Sequence, residues 1–187
     1  DEIKTVFDIV DKYLGSATIL INYATYSTIT YIDNITSQEM DKHYFVNLRA
    51  PILLTSEFVK RFKGKHYGRL INITSGQSLS AMSSEISYAV TKGAIETFTK
   101  TMQHELAFRN ITINAVHPGL TASAWLESGW LDEKQISIFK KRFPKGRLGL
   151  PSDAARLVGF LVDKKAEWIT GQIIHSEGGF VRENYDS

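Results

Sequence analysis

Short apolar runs of strand length alternate with longer stretches of helical periodicity along the whole chain. Residues 17–22, 69–74, 111–116 and 172–176 are the predicted strands, and residues 3–14, 36–62, 87–109 and 151–162 are the predicted helices. Helical crossovers between successive strands are the usual connections of a parallel sheet. The pattern therefore predicts an α/β fold, with a doubly wound parallel sheet in a three-layer αβα arrangement that forms one domain over residues 1–187.

Charge and composition exclude several classes of function. The 22 basic and 20 acidic residues leave a net charge of +2, which argues against nucleic acid or an anionic membrane as a partner. The chain has no cysteine, so disulfides and thiolate metal sites are excluded, and we expect no metal site. No apolar run approaches the ~20 residues of a membrane span, and we expect no signal peptide. These features predict a cytoplasmic protein that acts on a small molecule.

The segment from Leu70 to Lys92 contains side chains that are capable of acid–base chemistry. Ser75 follows an apolar run, and Tyr88 and Lys92 lie four residues apart, on one face of a predicted helix. A neighbouring positive charge favours the phenolate, so we expect Lys92 to lower the pKa of Tyr88 from its unperturbed value of about 10. A serine at the carboxyl end of a parallel strand points into the crevice where open α/β sheets bind ligands. Together these groups can polarise and protonate a carbonyl, which is half of a carbonyl reduction; a hydride donor supplies the other half.

The spacing of these three residues resembles that of the short-chain dehydrogenase/reductase family, and further segments agree with it in order and distance. They are Asn22-Tyr23-Ala24-Thr25 where the family has Asn-Asn-Ala-Gly, Asn47 at the helix asparagine of the catalytic tetrad, Pro118-Gly119 with Ser123 at the Pro-Gly-x-x-x-Thr turn, and Glu177-Gly178-Gly179 at the closing Asp-Gly-Gly. The resemblance covers practically the whole chain. Within the family, the chain resembles 3-oxoacyl-[acyl-carrier-protein] reductases. It implies a Rossmann-like fold and an NAD- or NADP-dependent oxidoreductase that reduces a carbonyl or oxidises a secondary alcohol by hydride transfer.

The resemblance also implies roles for the matching residues. Tyr88 would act as general acid in reduction and general base in oxidation, and Ser75 would hold the substrate oxygen. Lys92 would bind the nicotinamide ribose, and Asn47 would hold a water that relays protons to Lys92. The cofactor-binding set would be Asn22, Ala24, Tyr88, Lys92, Pro118, Gly119 and Ser123. Structural interpretations stay open beside these roles, such as a Ser75 hydroxyl that only caps its own loop.

Local chemistry bears on three further positions. Pro51 follows Asn47 by four residues and has no N–H, so the Asn47 carbonyl loses its helical partner and a kink is expected there. Thr25 stands where the family has glycine, which leaves in question the close approach of the backbone to the adenosine ribose. His117 is assigned no role, because a packed, hydrogen-bonded histidine is the commoner case.

A glycine-rich turn of the kind that seats a dinucleotide pyrophosphate on a helix N-terminus is not found in this sequence. By the resemblance, the chain begins in the helix before the family's fourth strand, and the segment that selects NAD or NADP lies outside it. We expect the strand at 17–22 to expose an apolar edge unless something pairs with it. A truncated product and a longer protein are both compatible with this pattern. The alternatives to the proposed enzyme are a non-catalytic remnant that acts as an interaction module and a nucleotide-sugar epimerase or dehydratase, which also uses Tyr-x-x-x-Lys.

Residues 120–150 correspond to the family's mobile substrate lid. The aromatic residues of this segment, Trp125, Trp130, Phe139 and Phe143, suggest an apolar or acyl substrate, or equally a helix packed onto the body. The basic run from Lys140 to Arg147 is either a solvated face or a docking surface for an acidic carrier protein. The family's usual dimers and tetramers imply a homodimer or homotetramer here, formed through helices 36–62 and 87–109.

Overall fold

The computed structural model describes residues 2–64, 67–79, 83–122 and 132–182. Its helices and strands, in chain order, are α1 (Glu2–Tyr13), β1 (Ile19–Asn22), α2 (Ser37–Tyr44), α3 (Ala50–Arg61), β2 (Gly68–Ile73), α4 (Ile86–Ala107), β3 (Ile111–Pro118), α5 (Glu133–Lys141), α6 (Pro151–Val162) and β4 (Ile173–Ser176). A π-helical turn (Phe45–Arg49) joins α2 to α3, and short 3-10 helices lie at Gly76–Leu79 and Lys164–Ala166. Within the described ranges, no helix has the length and apolar character needed to cross a membrane.

The four strands form one parallel sheet in the order β1-β2-β3-β4. Successive residues of a strand point to opposite faces of the sheet. On β2, Leu70 packs with Phe58 of α3 and Leu106 of α4. The next residue, Ile71, packs with Leu161 of α6 on the other face. Helices therefore cover both faces, and the predicted α/β fold with its parallel sheet is confirmed.

Strand β1 lies at one edge of this sheet. Within the described residues it pairs with β2 only, where Ile19–Asn22 run beside Arg69–Asn72. The side chains of Ile19 and Ile21 are 42% and 44% exposed. The apolar strand edge expected from the sequence is therefore present in this part of the chain.

The helix predicted over residues 36–62 is interrupted by the π-helical turn. Pro51 lies in the first turn of α3 and cannot donate a hydrogen bond to the Asn47 carbonyl, so regular α-helical bonding cannot continue at this point. The expected disturbance at Asn47 is confirmed. It takes the form of a wider turn that contains an extra residue.

The start of α2 follows only part of the predicted pattern. Thr36 is the N-cap, and its side-chain oxygen accepts a hydrogen bond from the Glu39 backbone N–H at 3.2 Å. Thr36 followed by Glu39 three residues later also predicts the reciprocal bond of a capping box. That prediction is wrong, because the Glu39 carboxylate accepts hydrogen bonds from Tyr26, Thr28 and Lys42 instead. These bonds attach the loop that follows β1 to α2.

The segment at 120–150 contains α5, a helix that was not predicted from the sequence. Asp132 is the N-cap and forms a reciprocal capping box with Gln135, with hydrogen bonds of 2.7 Å and 2.9 Å. An aspartate three residues before a glutamine was the signal that could have identified this helix start. Trp125 and Trp130 lie outside the described residues.

Candidate functional site

The carboxyl ends of the parallel strands lie at one edge of the sheet, and most of the predicted site residues lie around this edge. Asn22 ends β1, Ser75 follows β2 by two residues, and Pro118 ends β3. Tyr88 and Lys92 reach the same edge from the first two turns of α4. This is the end of an open α/β sheet at which a ligand crevice forms.

Ser75 and Tyr88 are brought together by the fold, close enough for the Ser75 hydroxyl to favour the ionised form of the Tyr88 phenol. Ser75 Oγ also accepts a hydrogen bond from the Gln77 backbone N–H at 3.4 Å, which is the local capping contact anticipated as its structural role. The Thr25 hydroxyl lies near the half-buried phenol of Tyr88 and favours its ionised form more weakly. Thr25 was not among the predicted site residues. The one feature of the sequence that could have pointed to it is a hydroxyl side chain at a position where the family has glycine.

The pKa of Tyr88 is raised above its ordinary value, mainly because burial disfavours the charged phenolate. The hydroxyls of Ser75 and Thr25 oppose this shift, and the Glu85 carboxylate reinforces it. The expectation that Lys92 lowers the pKa of Tyr88 is therefore wrong for this structure. Sharing a helix face places the ammonium over the phenol ring, 5.6 Å from its centroid, and burial of the phenol is the largest influence on its pKa.

Lys92 is buried beside the carboxyl end of β2. Its side chain is 4% exposed, and Nζ donates a hydrogen bond to the backbone oxygen of Ile73 at 2.9 Å. Burial lowers the pKa of Lys92 to about 8. Because an ammonium has three donors and the described residues provide this one acceptor, Lys92 has donors left for the hydroxyl groups of a ligand.

Asn47 is buried in the π-helical turn, and its side-chain amide is fully engaged. Oδ1 accepts from Tyr26 N at 2.7 Å and from Thr25 Oγ1 at 3.2 Å, while Nδ2 donates to Tyr26 O at 2.8 Å and to Thr91 Oγ1 at 3.2 Å. The amide thereby connects the loop after β1 with α4. No hydrogen bond within the described part of the chain joins Asn47 to Lys92, so the relay expected between them stays a prediction.

Asn22 offers an unused acceptor at the end of β1. Its Nδ2 donates to Asn72 Oδ1 at 2.8 Å, and Asn72 in turn donates to Thr99 Oγ1 at 3.0 Å. Among the described residues, the buried Oδ1 atom of Asn22 has no partner. Since a buried acceptor without a donor is costly, Asn22 is suited to accept a hydrogen bond from a ligand. Ala24 lies two residues further on, in an exposed loop.

Gly119 follows β3 and packs closely against Glu177. A Cβ atom at position 119 would lie 2.9 Å from the Cα atom of Glu177, so the backbone here has room for glycine only. A cavity of about 240 Å³ lies beside it, with Lys145 and Arg147 among its lining residues. Ser123, which was predicted to border the cofactor, lies outside the described residues.

A charged cluster lies next to Gly76, directly after the predicted catalytic serine, and sequence reasoning did not find it as a unit. The Glu177 carboxylate contacts His117 Nε2 at 3.0 Å and His175 Nδ1 at 3.1 Å, and it accepts hydrogen bonds from Arg182. Burial, with the nearby His175 and Arg182, lowers the pKa of His117 to about 4, so this histidine is neutral. A Cβ atom at position 76 would lie 2.5 Å from His117 Nε2, which means that the cluster requires glycine there.

The residues at this edge fit a dinucleotide cofactor. Asn22 provides a buried acceptor without a donor, Lys92 provides unused donors, and Gly119 provides backbone without a Cβ atom. These features suit a ligand with ribose hydroxyls and a flat ring, which is what a nicotinamide dinucleotide presents.

Comparisons of this chain with known proteins agree on one family. A family model described as enoyl-(acyl carrier protein) reductase matches residues 1–181. The chain is 46% identical to the uncharacterized oxidoreductase YjdA of Bacillus subtilis over 180 residues, which are 95% of this chain and 70% of that protein. It is 35% identical to the 3-oxoacyl-[acyl-carrier-protein] reductase FabG of Rickettsia felis over 163 residues, which are 87% of this chain and 67% of that protein.

Solved structures agree in fold over nearly the whole chain. A putative gluconate dehydrogenase from Agrobacterium tumefaciens has a TM-score of 0.89 at 27% identity, covering 95% of this chain and 70% of that one. A 4-hydroxyisoleucine dehydrogenase complexed with NADH has a TM-score of 0.89 at 30% identity, covering 97% and 75%. The angucycline C-6 ketoreductase LanV with bound NADP has a TM-score of 0.83 at 26% identity, covering 95% and 68%.

Proposed function

We propose an activity for this protein from one premise: the chain belongs to the short-chain dehydrogenase/reductase family and is an oxidoreductase. The proposed reaction is hydride transfer between NAD or NADP and a carbonyl compound or secondary alcohol. Structural neighbours that hold NADP and NADH support this choice of cofactor. The observation that carries the proposal is the proximity of the Tyr88 and Ser75 hydroxyls, beside the buried Lys92, at the carboxyl ends of the strands.

Tyr88 and Ser75 would act together on the substrate oxygen. In reduction, a carbonyl oxygen placed where their hydroxyls meet would accept hydrogen bonds from both. A bound nicotinamide supplies the hydride to the carbonyl carbon, and Tyr88 donates its proton to the oxygen. Because burial keeps the pKa of Tyr88 above its ordinary value, the phenol is protonated at neutral pH and able to donate. Ser75 stabilises the negative charge that develops on the oxygen before the proton arrives.

Lys92 and Asn47 would support this proton transfer. Lys92 would use its remaining donors to hold the ribose hydroxyls, and its charge, 5.6 Å from the Tyr88 ring centroid, would stabilise the phenolate that the transfer leaves. With a pKa of about 8, Lys92 is mostly protonated at neutral pH and can itself release a proton in mildly alkaline solution. By the family resemblance, Asn47 would hold the water through which that proton is replaced.

The proposed substrate is a small carbonyl or alcohol compound, and a 3-oxoacyl compound is the first to test because a relative reduces that class. We also propose that residues 120–150 form a lid on a single domain, since Leu120 and Thr121 pair with Gly149 and so bring the two ends of this segment together beside β3. Phe143, one of the aromatic residues of this segment, lines the cavity beside Gly119. It is 4% exposed and packs on Phe180, with ring centroids 4.8 Å apart.

The purified protein is expected to bind NADH or NADPH and to oxidise one of them in the presence of ethyl acetoacetate, a small 3-oxo ester. The measurement is the loss of NAD(P)H absorbance, and the comparison of the two cofactors gives the preference. Binding without turnover across a panel of ketones and secondary alcohols would contradict hydride transfer. A protein with the intact mass of these 187 residues that binds neither dinucleotide would support the alternative, a non-catalytic interaction module.

We propose that the protein is a homodimer or homotetramer that associates through the α2–α3 helix and α4. Both helices carry exposed apolar side chains, which monomers rarely group together. These side chains are between 38% and 65% exposed and belong to Met40, Tyr44, Phe45, Leu53 and Val90. Gly93 and Ala94 follow Val90 on α4 and would allow a close helix contact.

Replacing Val90 by aspartate is expected to convert the oligomer into monomers, because each copy would bring an unpaired carboxylate into an apolar interface. Sedimentation velocity measures the change, and circular dichroism verifies that the helices are retained. Ile138→Asp on α5 is the matched control, since Ile138 is 50% exposed and lies outside both helices. A wild-type protein that sediments as a monomer would contradict this assembly.

A further inference from the structure

The backbone that follows Ser75 packs against the charged cluster around Glu177. A Cβ atom at Gly76 would lie 3.1 Å from Glu177 Oε1 and 2.5 Å from His117 Nε2, so both side chains border the Gly76 backbone directly. Ser75 comes immediately before Gly76, where a short 3-10 helix begins. The position of the Ser75 hydroxyl therefore depends on how firmly the neighbouring carboxylate is held.

Both oxygens of the Glu177 carboxylate are bound, and its side chain is 9% exposed. Oε1 contacts His117 Nε2 at 3.0 Å, and Oε2 contacts His175 Nδ1 at 3.1 Å. Arg182 donates from Nη1 to Oε2 at 2.9 Å and from Nη2 to Oε1, which compensates the negative charge by a two-point contact. Since His117 belongs to β3 and His175 to β4, the carboxylate is attached to two strands of the sheet.

The backbone that carries Arg182 is itself anchored. The Val181 N–H donates a hydrogen bond to the Arg142 carbonyl oxygen at 3.2 Å. The ring of Phe180 packs on that of Phe143 with centroids 4.8 Å apart, and the Arg142 guanidinium lies 5.1 Å from the Phe180 centroid. Arg182 therefore reaches the carboxylate from a backbone that is fixed against the end of α5.

The placement of Ser75 matters because the proposed role of its hydroxyl is to stabilise charge on the substrate oxygen. Such a group works only when it is held in the correct geometry, and a misplacement of about 1 Å can lower a rate by about 10². Ser75 lies in a loop, and loops are more mobile than the strands and helices that they connect. A rigid neighbour that fixes this loop would therefore act on turnover without touching the substrate.

We propose that Glu177, held by Arg182, is a positioning residue for Ser75: its carboxylate supports the Gly76 backbone and so keeps the Ser75 hydroxyl where the substrate oxygen would bind. Glu177 takes no part in the proton transfer. The inference rests on the proposed function of Ser75. It gives the segment after β4 a role in turnover, although that segment contains none of the predicted site residues.

Glu177→Gln keeps the shape of the side chain and removes the charge that binds Arg182. It is expected to lower kcat for ethyl acetoacetate about tenfold, with KM within about twofold of the wild type. Ser75→Ala alone should lower kcat by about two orders of magnitude, as the loss of one donor to a developing oxyanion usually does. The decisive measurement is the double variant. If Glu177 acts through Ser75, adding Glu177→Gln to Ser75→Ala lowers kcat no further.

A carboxylate that only stabilised the fold would lower kcat by the same factor with and without the Ser75 hydroxyl, and that result overturns the inference. Glu57→Gln on α3 is the matched control. The Glu57 carboxylate is also bound by an arginine, with Arg61 Nε at 2.7 Å, and its side chain is 16% exposed. Glu57→Gln should leave kcat unchanged in both backgrounds.

Amide hydrogen exchange at residues 75–77 is the second readout and needs no reaction. These amides should exchange about tenfold faster in Glu177→Gln than in the wild type, and at the wild-type rate in Glu57→Gln. Equal exchange in Glu177→Gln and wild type overturns the inference. Faster exchange in Glu177→Gln, together with a wild type that shows no turnover, would count against the proposed function alone. Should Glu177→Gln fail to fold, Arg182→Met, which removes the partner of the carboxylate, carries the same expectations.

Discussion

Tyr88→Phe is expected to lower turnover by about two to four orders of magnitude, which is the usual contribution of a positioned general acid. The substitution removes one oxygen and leaves the ring in place over Lys92. Dinucleotide affinity is therefore expected to change by no more than a few-fold. Steady-state kinetics with ethyl acetoacetate measure the first quantity, and fluorescence titration with NAD(P)H measures the second.

A matched control for this substitution is available in Tyr13, whose side chain is 70% exposed on α1. Tyr13→Phe should retain wild-type turnover. The pH profile adds an independent check, because burial raises the pKa of Tyr88 and so keeps the phenol protonated. The rate of reduction should be level through neutral pH and fall only in alkaline solution. Substantial turnover in Tyr88→Phe would mean that another group protonates the substrate.

Lys92→Met is expected to remove a pH dependence of stability as well as lower turnover. Burial lowers the pKa of Lys92 from 10.5 to about 8, a displacement that corresponds to about 3 kcal/mol. Between these two values the unfolded chain keeps this proton and the folded chain releases it, so the free energy of unfolding of the wild type rises with pH. Below about pH 8 both states are protonated and the full cost of burying the charge is present.

Urea unfolding of wild type and Lys92→Met across this alkaline window measures the effect. The free energy of unfolding of the wild type should increase relative to that of the variant by up to about 3 kcal/mol. Lys100→Met, at an exposed position of the same helix, should follow the wild-type curve. Parallel curves for wild type and Lys92→Met would show that Lys92 keeps an ordinary pKa in the folded protein.

The order of helices and strands could be predicted from the sequence because each strand is a short apolar run between stretches whose apolar residues recur at helical spacing. The meeting of Ser75 and Tyr88 could also be anticipated, since a strand end and a helix start in one βα unit face the same crevice. The disturbance at Asn47 followed from the missing N–H of Pro51. In each of these cases the physical cause lies within a few residues of its effect.

The features that the sequence did not predict depend mostly on residues that are far apart along the chain. The spacing of Tyr88 and Lys92 gives a shared helix face, but it does not give the burial that dominates both pKa values. The hydrogen bond of Thr25 to Asn47 joins the loop after β1 to the π-helical turn, and no local sequence pattern predicts it. The charged cluster around Glu177 is likewise assembled from β3, β4 and the chain beyond them. The helix α5 is the exception, since its capping box was visible at Asp132 and Gln135.

The π-helical turn joins α2 to α3, which are the two halves of one long helical segment, and fixes how far one half is rotated about the helix axis relative to the other. Upstream of it, Glu39 is directed toward the loop after β1, and downstream of it, Phe58 is directed under the sheet. Deleting a single residue from Phe45–Arg49 would rotate one half against the other by about 100°, the angle between neighbouring residues of an α-helix. Either the loop attachment or the buried phenylalanine would then face solvent. A one-residue deletion in this turn should consequently be more damaging than a substitution at the same place.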